Sequence, residues 1–156
     1  MHIDPRIYNN QYKILHNTII SGEKLVKFKL SEDPHCSACP LQTDSITHML
    51  EECPRTQECW EALEKWLKES EQIEYSLSQP ERILGVVTDK DPWLEKIEIL
   101  AAITRHYIVL NRQDRKVTTS PEGLKIYIKY KLNIMRLSRP TTQKREDFKS
   151  CFKYFL

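Results

Sequence analysis

The chain has 156 residues, 40% of them hydrophobic and 29% charged, with a net charge of +2. That balance supports one folded domain or two small lobes and excludes disorder over most of the length. No apolar run approaches the roughly 20 residues that a membrane helix needs, and MHIDPRIYNN lacks the basic and apolar regions of a signal peptide, so an intracellular protein, nuclear or cytoplasmic, with no membrane partner is expected.

Only three glycines and no internal repeat interrupt the chain, and helices dominate its reading. Ile7, Tyr8, Tyr12, Leu15, Ile19 and Ile20 recur at three- and four-residue steps, which predicts one buried face of a helix ending near Gly22. Leu25, Val26, Phe28 and Leu30 follow, the one stretch with strand character. Trp60, Leu63, Trp66 and Leu67 then form an apolar stripe that predicts a helix from about 55 to 73, opened by Pro54. Pro80 starts a short helical turn with Ile83 and Leu84, and Gly85 breaks it. Asp91 reads as an N-cap with Pro92 in the first turn. From there Trp93, Leu94, Ile97, Leu100, Ala101, Thr104, Ile108 and Val109 predict the longest helix, 92–113, at the centre of the core. Ser120 and Pro121 open the next, which Leu124, Ile128, Leu132 and Met135 carry to about 138, where Pro140 stops it. Asp147, Phe148, Phe152 and Tyr154 suggest a final short helix. The class is all-α: a helical domain with a small metal motif inserted near the N-terminal third. Residues 1–30 read as helix and lead-in, 31–54 as the metal motif, and 55–156 as a helical region that turns basic after residue 100.

The chemistry is concentrated in Cys36-x2-Cys39-x8-His48-x4-Cys53. Two cysteines two residues apart wrap a turn around one face of a tetrahedron, and His48 and Cys53 supply the remaining ligands from a short helix and its end. Three of the five cysteines lie in this segment, which suits one structural Zn2+ in a reducing compartment better than a disulfide framework. Four protein ligands close the shell and leave no position for a reacting water. Leu41, Ile46, Met49 and Leu50 are nearly all that is apolar in 31–54, so the ion is expected to stand in for a local core. His35 and Cys59 are competing ligands. His2, His16 and His106 read as surface or packed histidines, and Cys59 and Cys151 have no assigned role otherwise.

The segment KLVKFKLSEDPHCSACPLQTDSITHMLEECPRTQECW resembles the cysteine/histidine region downstream of the reverse transcriptase in LINE-type non-LTR retrotransposon proteins. The features that carry the resemblance are Cys36 and Cys39, Asp44, Ile46-Thr47-His48-Met49-Leu50, Cys53-Pro54 and Trp60. It implies a region that helps a polymerase hold template RNA and target DNA during target-primed reverse transcription, in an element protein or a host protein derived from one. The chain has no Tyr-x-Asp-Asp signature and no endonuclease-like acidic and histidine set, so a non-catalytic module is expected.

Charge is segregated along the chain. Residues 1–100 hold 11 Lys+Arg against 18 Asp+Glu, and residues 101–156 hold 13 against 4, so the two parts carry −7 and +9. Such an excess points to RNA or DNA, through Arg105, Arg112, Arg115, Lys116, Lys125, Lys129, Arg136 and Arg139, with Lys131 beside them, or to the basic part docking on the acidic part within the same fold, and both can hold together. Lys125, Lys129 and Arg136 share one helix face, and Tyr127 and Tyr130 interleave with the cations. A competing class is a protein-interaction module, using the acidic helix 55–74 with Glu58, Glu61, Glu64, Glu69, Glu71 and Glu74. An enzyme is the weakest class, since no nucleophile with its base and no phosphate-binding loop is recognisable.

Overall fold

The structure, a computed structural model, describes residues 3–72, 74–113 and 119–156. Helix α1 (Pro5–Leu15) starts where Asp4 accepts a hydrogen bond from the Arg6 N–H and Pro5 takes a first-turn position that needs no donor. Its buried face is Ile7, Asn10 and Ile14, whereas Tyr8, Tyr12 and Leu15 are exposed. Of the face expected from the sequence, Ile7 and Ile19 are buried but Tyr8, Tyr12, Leu15 and Ile20 are not, because one buried position is a polar Asn and the outer face carries two tyrosines. The helix also stops early: Asn17 adopts φ 51°, and Ile19 enters the core from the segment beyond it.

Helix α2 (Gly22–Lys27) replaces the strand-like lead-in, and no strand occurs among the described residues. Ser21 accepts from the Lys24 N–H at its N-terminus, and Glu23 sits in its first turn, a start signal that the apolar run Leu25–Leu30 obscured. A single turn of π-helix, His48–Glu52, leads into α3 (Pro54–Glu71), which ends where Gln72 turns left-handed at φ 56°. The short α4 (Gln79–Leu84) begins with a reciprocal pair in which Ser78 and Glu81 cap each other's backbone.

Helix α5 (Pro92–Gln113) begins as the sequence indicates, with the Asp91 carboxylate accepting from Trp93 N–H at 2.8 Å. It is the axis of the molecule: residues 101–109 are all buried, and α1, α3, α4 and α6 pack around it. Helix α6 (Pro121–Leu137) is capped by Ser120 and buries Leu124, Ile128, Leu132 and Met135. Helix α7 (Thr142–Cys151) adds Phe148, and Phe152 and Phe155 follow it into the same core. None of the described helices is long and apolar enough to cross a membrane.

Two buried polar contacts tie α6 inward. Lys131 on α6 pairs with Asp4 at 2.8 Å, so the cap of α1 also anchors α6. The Tyr127 hydroxyl lies 2.6 Å from Nδ1 of His106. Burial, and then the nearby Lys131 charge, pushes the His106 imidazole down from 6.5 to about 4. Because the unfolded chain takes up a proton below pH 6.5 and the folded chain does not until about 4, stability is expected to fall as pH drops through that window and level off below it. The size of the effect at pH 4.5 is about 2–3 kcal/mol relative to pH 7. Urea titrations of wild type and His106→Gln at both pH values isolate it, since protonation of metal ligands is common to both proteins.

Candidate metal centre

The ligand segment is built by short local hydrogen bonds. The Cys36 N–H donates to the Gln42 carbonyl and the Gln42 N–H to the Cys39 carbonyl, each at 2.9 Å, which closes residues 36–42 into a loop. The flanking residues His35 and Thr43 form an isolated antiparallel bridge. Asp44 fastens this loop to α2: its carboxylate accepts from Gly22 N–H at 2.9 Å, and its own N–H donates to the Pro34 carbonyl at 2.8 Å. A Cβ on residue 22 would lie 2.8 Å from that same Pro34 oxygen, so the approach requires glycine.

The second ligand pair rides on the π-helical turn. Ser45 starts it by accepting from the His48 N–H at 3.0 Å, and the Cys53 N–H closes it on the His48 carbonyl at 2.9 Å. The wider turn sets these two ligands side by side where the chain enters α3. It also fixes the motif in the core. Met49 and Leu50 are fully buried among the residues of the main cluster. Thr56 donates to the Met49 carbonyl and Trp60 Nε1–H to the Leu50 carbonyl, both at 2.7 Å. Arg82 of α4 pairs with Glu51 of the turn at 3.6 Å and with Glu64 of α3 at 3.1 Å. The expectation that the ion replaces a separate local core is therefore corrected: the His48–Cys53 turn shares the helical core, and only the Cys36–Asp44 loop stays outside it, with Leu41 94% exposed.

One donor atom from each of Cys36, Cys39, His48 and Cys53 lies within 4.8 Å of all the others. Cys39 Sγ and Cys53 Sγ are 3.6 Å apart, close to the roughly 3.8 Å edge of a tetrahedron with Zn–S bonds of about 2.3 Å. His48 Nε2 is buried without a hydrogen-bond partner among the described residues, and Nδ1 lies on the side of Glu52, 3.8 Å from its carboxylate. A buried lone pair with no donor facing it is the signature of a ligand atom. Burial, followed by the Arg112 charge, lowers the pKa of His48, which favours the neutral form that binds metal.

The thiols show the same demand for a cation. Burial and the neighbouring Cys53 and Cys36 sulfurs push Cys39 up to about 12. Three crowded thiols cannot all ionise by themselves, whereas a divalent ion at their centre reverses that balance. The donor set fits zinc, which would hold the loop and the π-helical turn together and supply a structural cross-link. The competing ligands are not in the cluster. His35 is turned to the Asp33 carboxylate at 2.7 Å, and Cys59 is buried in the helical core.

Two arginines read as surface phosphate contacts are placed elsewhere. Arg105 is 0% exposed, pairs with Glu98 and donates to the Glu81 carbonyl at 2.9 Å, so it is a core ion pair. Arg112 turns into the metal centre and donates through Nη1 to Cys36 Sγ at 2.6 Å. Burial raises the pKa of Cys36, but this guanidinium and the Ala38 N–H outweigh it, and the thiol lies below its ordinary value. Lys131 is buried with Asp4. Arg115, Lys116, His2 and the side chain of Glu71 lie outside the described residues. A sequence signal existed for Arg105, since Glu98 stands two helical turns earlier on the same face; none existed for Arg112.

What remains at the surface is concentrated on α6. Lys125 and Lys129 are exposed, and Arg136 is half-buried beside Asn133, its Nη2 donating to Oδ1 at 3.2 Å. Lys125 lies over the Trp66 ring and Arg139 over the Phe148 ring. Tyr127 is committed to His106, whereas Tyr130 is exposed. On α3, Glu58, Glu61 and Glu69 are exposed, while Glu64 is occupied by Arg82 and the Leu77 N–H. Glu74, beyond the helix, pairs with Lys68.

Comparison with known proteins bears on the first part of the chain. No curated protein and no solved structure matches it. Residues 1–60 match the family model described as zinc-binding in reverse transcriptase, a span that holds all four candidate ligands and ends at Trp60, so the resemblance read from the sequence holds over this part of the chain.

Proposed function

We propose that the chain is a non-catalytic module, held together by one structural zinc ion, that grips RNA or DNA beside a reverse transcriptase and helps hold template RNA or target DNA during target-primed reverse transcription. The observation that carries the reading is the edge of α6, where Lys125, Lys129 and Arg136 share one side of a helix, flanking the face that Leu124, Ile128, Leu132 and Met135 bury in the core. A rigid row of cations positions phosphates without reading bases. Tyr130, exposed on the outward face of the same helix, is the one aromatic ring of the pair available to a base.

The double substitution Lys125→Glu/Lys129→Glu is expected to weaken binding to single-stranded RNA at least about 10-fold at low salt, with helicity retained. Mobility shift assays with circular dichroism on the same samples check this. Unchanged affinity would remove the α6 edge from the reading.

A second reading rests on the neighbouring stripe of the same helix, where Ile126, Tyr130, Ile134 and Leu137 are exposed at helical spacing. Together with the exposed glutamates of α3 it favours a protein partner. Absence of RNA and DNA binding at low salt in the zinc-loaded chain would select that reading.

A further inference from the structure

We propose that Arg112 is a positioning residue of the metal centre: its guanidinium holds the Cys36 sulfur by a charge-assisted hydrogen bond and offsets the excess negative charge of three thiolates around one zinc ion. The inference rests on the reading that Cys36, Cys39, His48 and Cys53 hold zinc, and it adds a residue 76 positions away in sequence from the ligand it touches.

Two observations carry it. Arg112 Nη1 lies 2.6 Å from Cys36 Sγ, and Cys36 is 2% exposed, so water does not compete for the sulfur. The other terminal nitrogen, Nη2, is buried without a hydrogen-bond partner among the described residues, which an arginine placed only for packing would avoid by reaching solvent. Three thiolates and a neutral histidine leave a zinc centre with a net charge of about minus one, and burying that charge is unfavourable without a counter-charge. A guanidinium beside a sulfur supplies it in the geometry that Arg provides and Lys only partly reproduces.

The position gives the contact a consequence. Arg112 stands in the last turn of α5, the central helix, while Cys36 sits in the loop outside the helical core. The bond therefore fastens the exposed half of the metal motif to the axis of the fold, complementing Asp44, which fastens it to α2. Metal loading and the seating of the C-terminal end of α5 are coupled through this one side chain.

The test uses the full chain loaded with zinc, as wild type, Arg112→Lys and Arg112→Met. Zinc content is measured first, and a wild-type chain that binds none would overturn the metal reading and this proposal together. With zinc bound, transfer to the chelator 4-(2-pyridylazo)resorcinol is expected to be about 10-fold faster or more in Arg112→Met, with Arg112→Lys between that variant and wild type. In cobalt-loaded protein the thiolate-to-cobalt absorption band of Arg112→Met is expected to move to longer wavelength, because a sulfur that loses a hydrogen bond gives up electrons more easily. An unmoved band, or equal zinc release from all three proteins, would overturn the proposal. Faster release with lost helicity and an unmoved band would reduce Arg112 to a packing residue.

Discussion

Cys53→Ser is expected to unfold the helical domain as a whole, not only residues 31–54. Cys53 closes the π-helical turn on His48, and its carbonyl accepts the N–H groups of Thr56 and Gln57 in the first turn of α3. Met49 and Leu50, immediately before it, pack with Trp60 in the main core. Structural zinc contributes on the order of 10 kcal/mol to small motifs, against a total stability of about 5–15 kcal/mol for an ordinary domain. Loss of one ligand should therefore reach the helices through the shared core. Circular dichroism at 222 nm during thermal melting, with and without chelator, reads this directly. Melting of the variant at the wild-type temperature with full helicity would show that the fold stands without the metal.

Glu98→Ala is expected to cost about 3–5 kcal/mol, the usual consequence of stripping the partner from a buried charge. Glu98 serves two elements at once: its carboxylate pairs with Arg105 and accepts the Val86 N–H at 2.7 Å. Without it the Arg105 guanidinium keeps the Glu81 carbonyl as its acceptor in a position closed to solvent. The double variant Glu98→Met/Arg105→Met should be less destabilised than Glu98→Ala, since it removes the charge along with its partner. Denaturant midpoints of the two variants make the comparison. A surface role for Arg105 would instead leave Glu98→Ala within a fraction of a kcal/mol of wild type.

These outcomes follow from where the sequence was legible and where it was not. Helix α5 announces itself through Asp91-Pro92 and an unbroken apolar succession, and α3 through Pro54 and its tryptophan stripe. Both are long, so periodicity dominates local ambiguity. Helix α1 is short and its faces are nearly balanced, with buried Asn10 on one side and Tyr8, Tyr12 and Leu15 on the other, and there the pattern misleads. Helix α2 is six residues long, too short for any period to register, and the Ser21 cap was its only clear signal.

The candidate ligands were legible because a metal site made of neighbouring residues writes its geometry into the spacing of Cys36, Cys39, His48 and Cys53. Most of the surroundings of that site were not. Arg112 arrives from the far end of α5 and Arg82 from α4, and no spacing rule connects them. Counting charges likewise cannot tell which cations turn inward, and Arg105, Arg112 and Lys131 are the ones that find partners inside the fold. The basic half of the sequence is thus partly internal, and among the described residues its outward charge is carried chiefly by α6 and the residues after it.

The affinity of the zinc-loaded chain for single-stranded RNA, followed from about 50 to about 200 mM salt, decides most directly whether that outward charge grips phosphates. Three contacts, from Lys125, Lys129 and Arg136, should give a slope of about −2 in log affinity against log salt, or about a 20-fold loss over that range. Absent binding at the low end, or binding indifferent to salt, would contradict the nucleic-acid module proposed here.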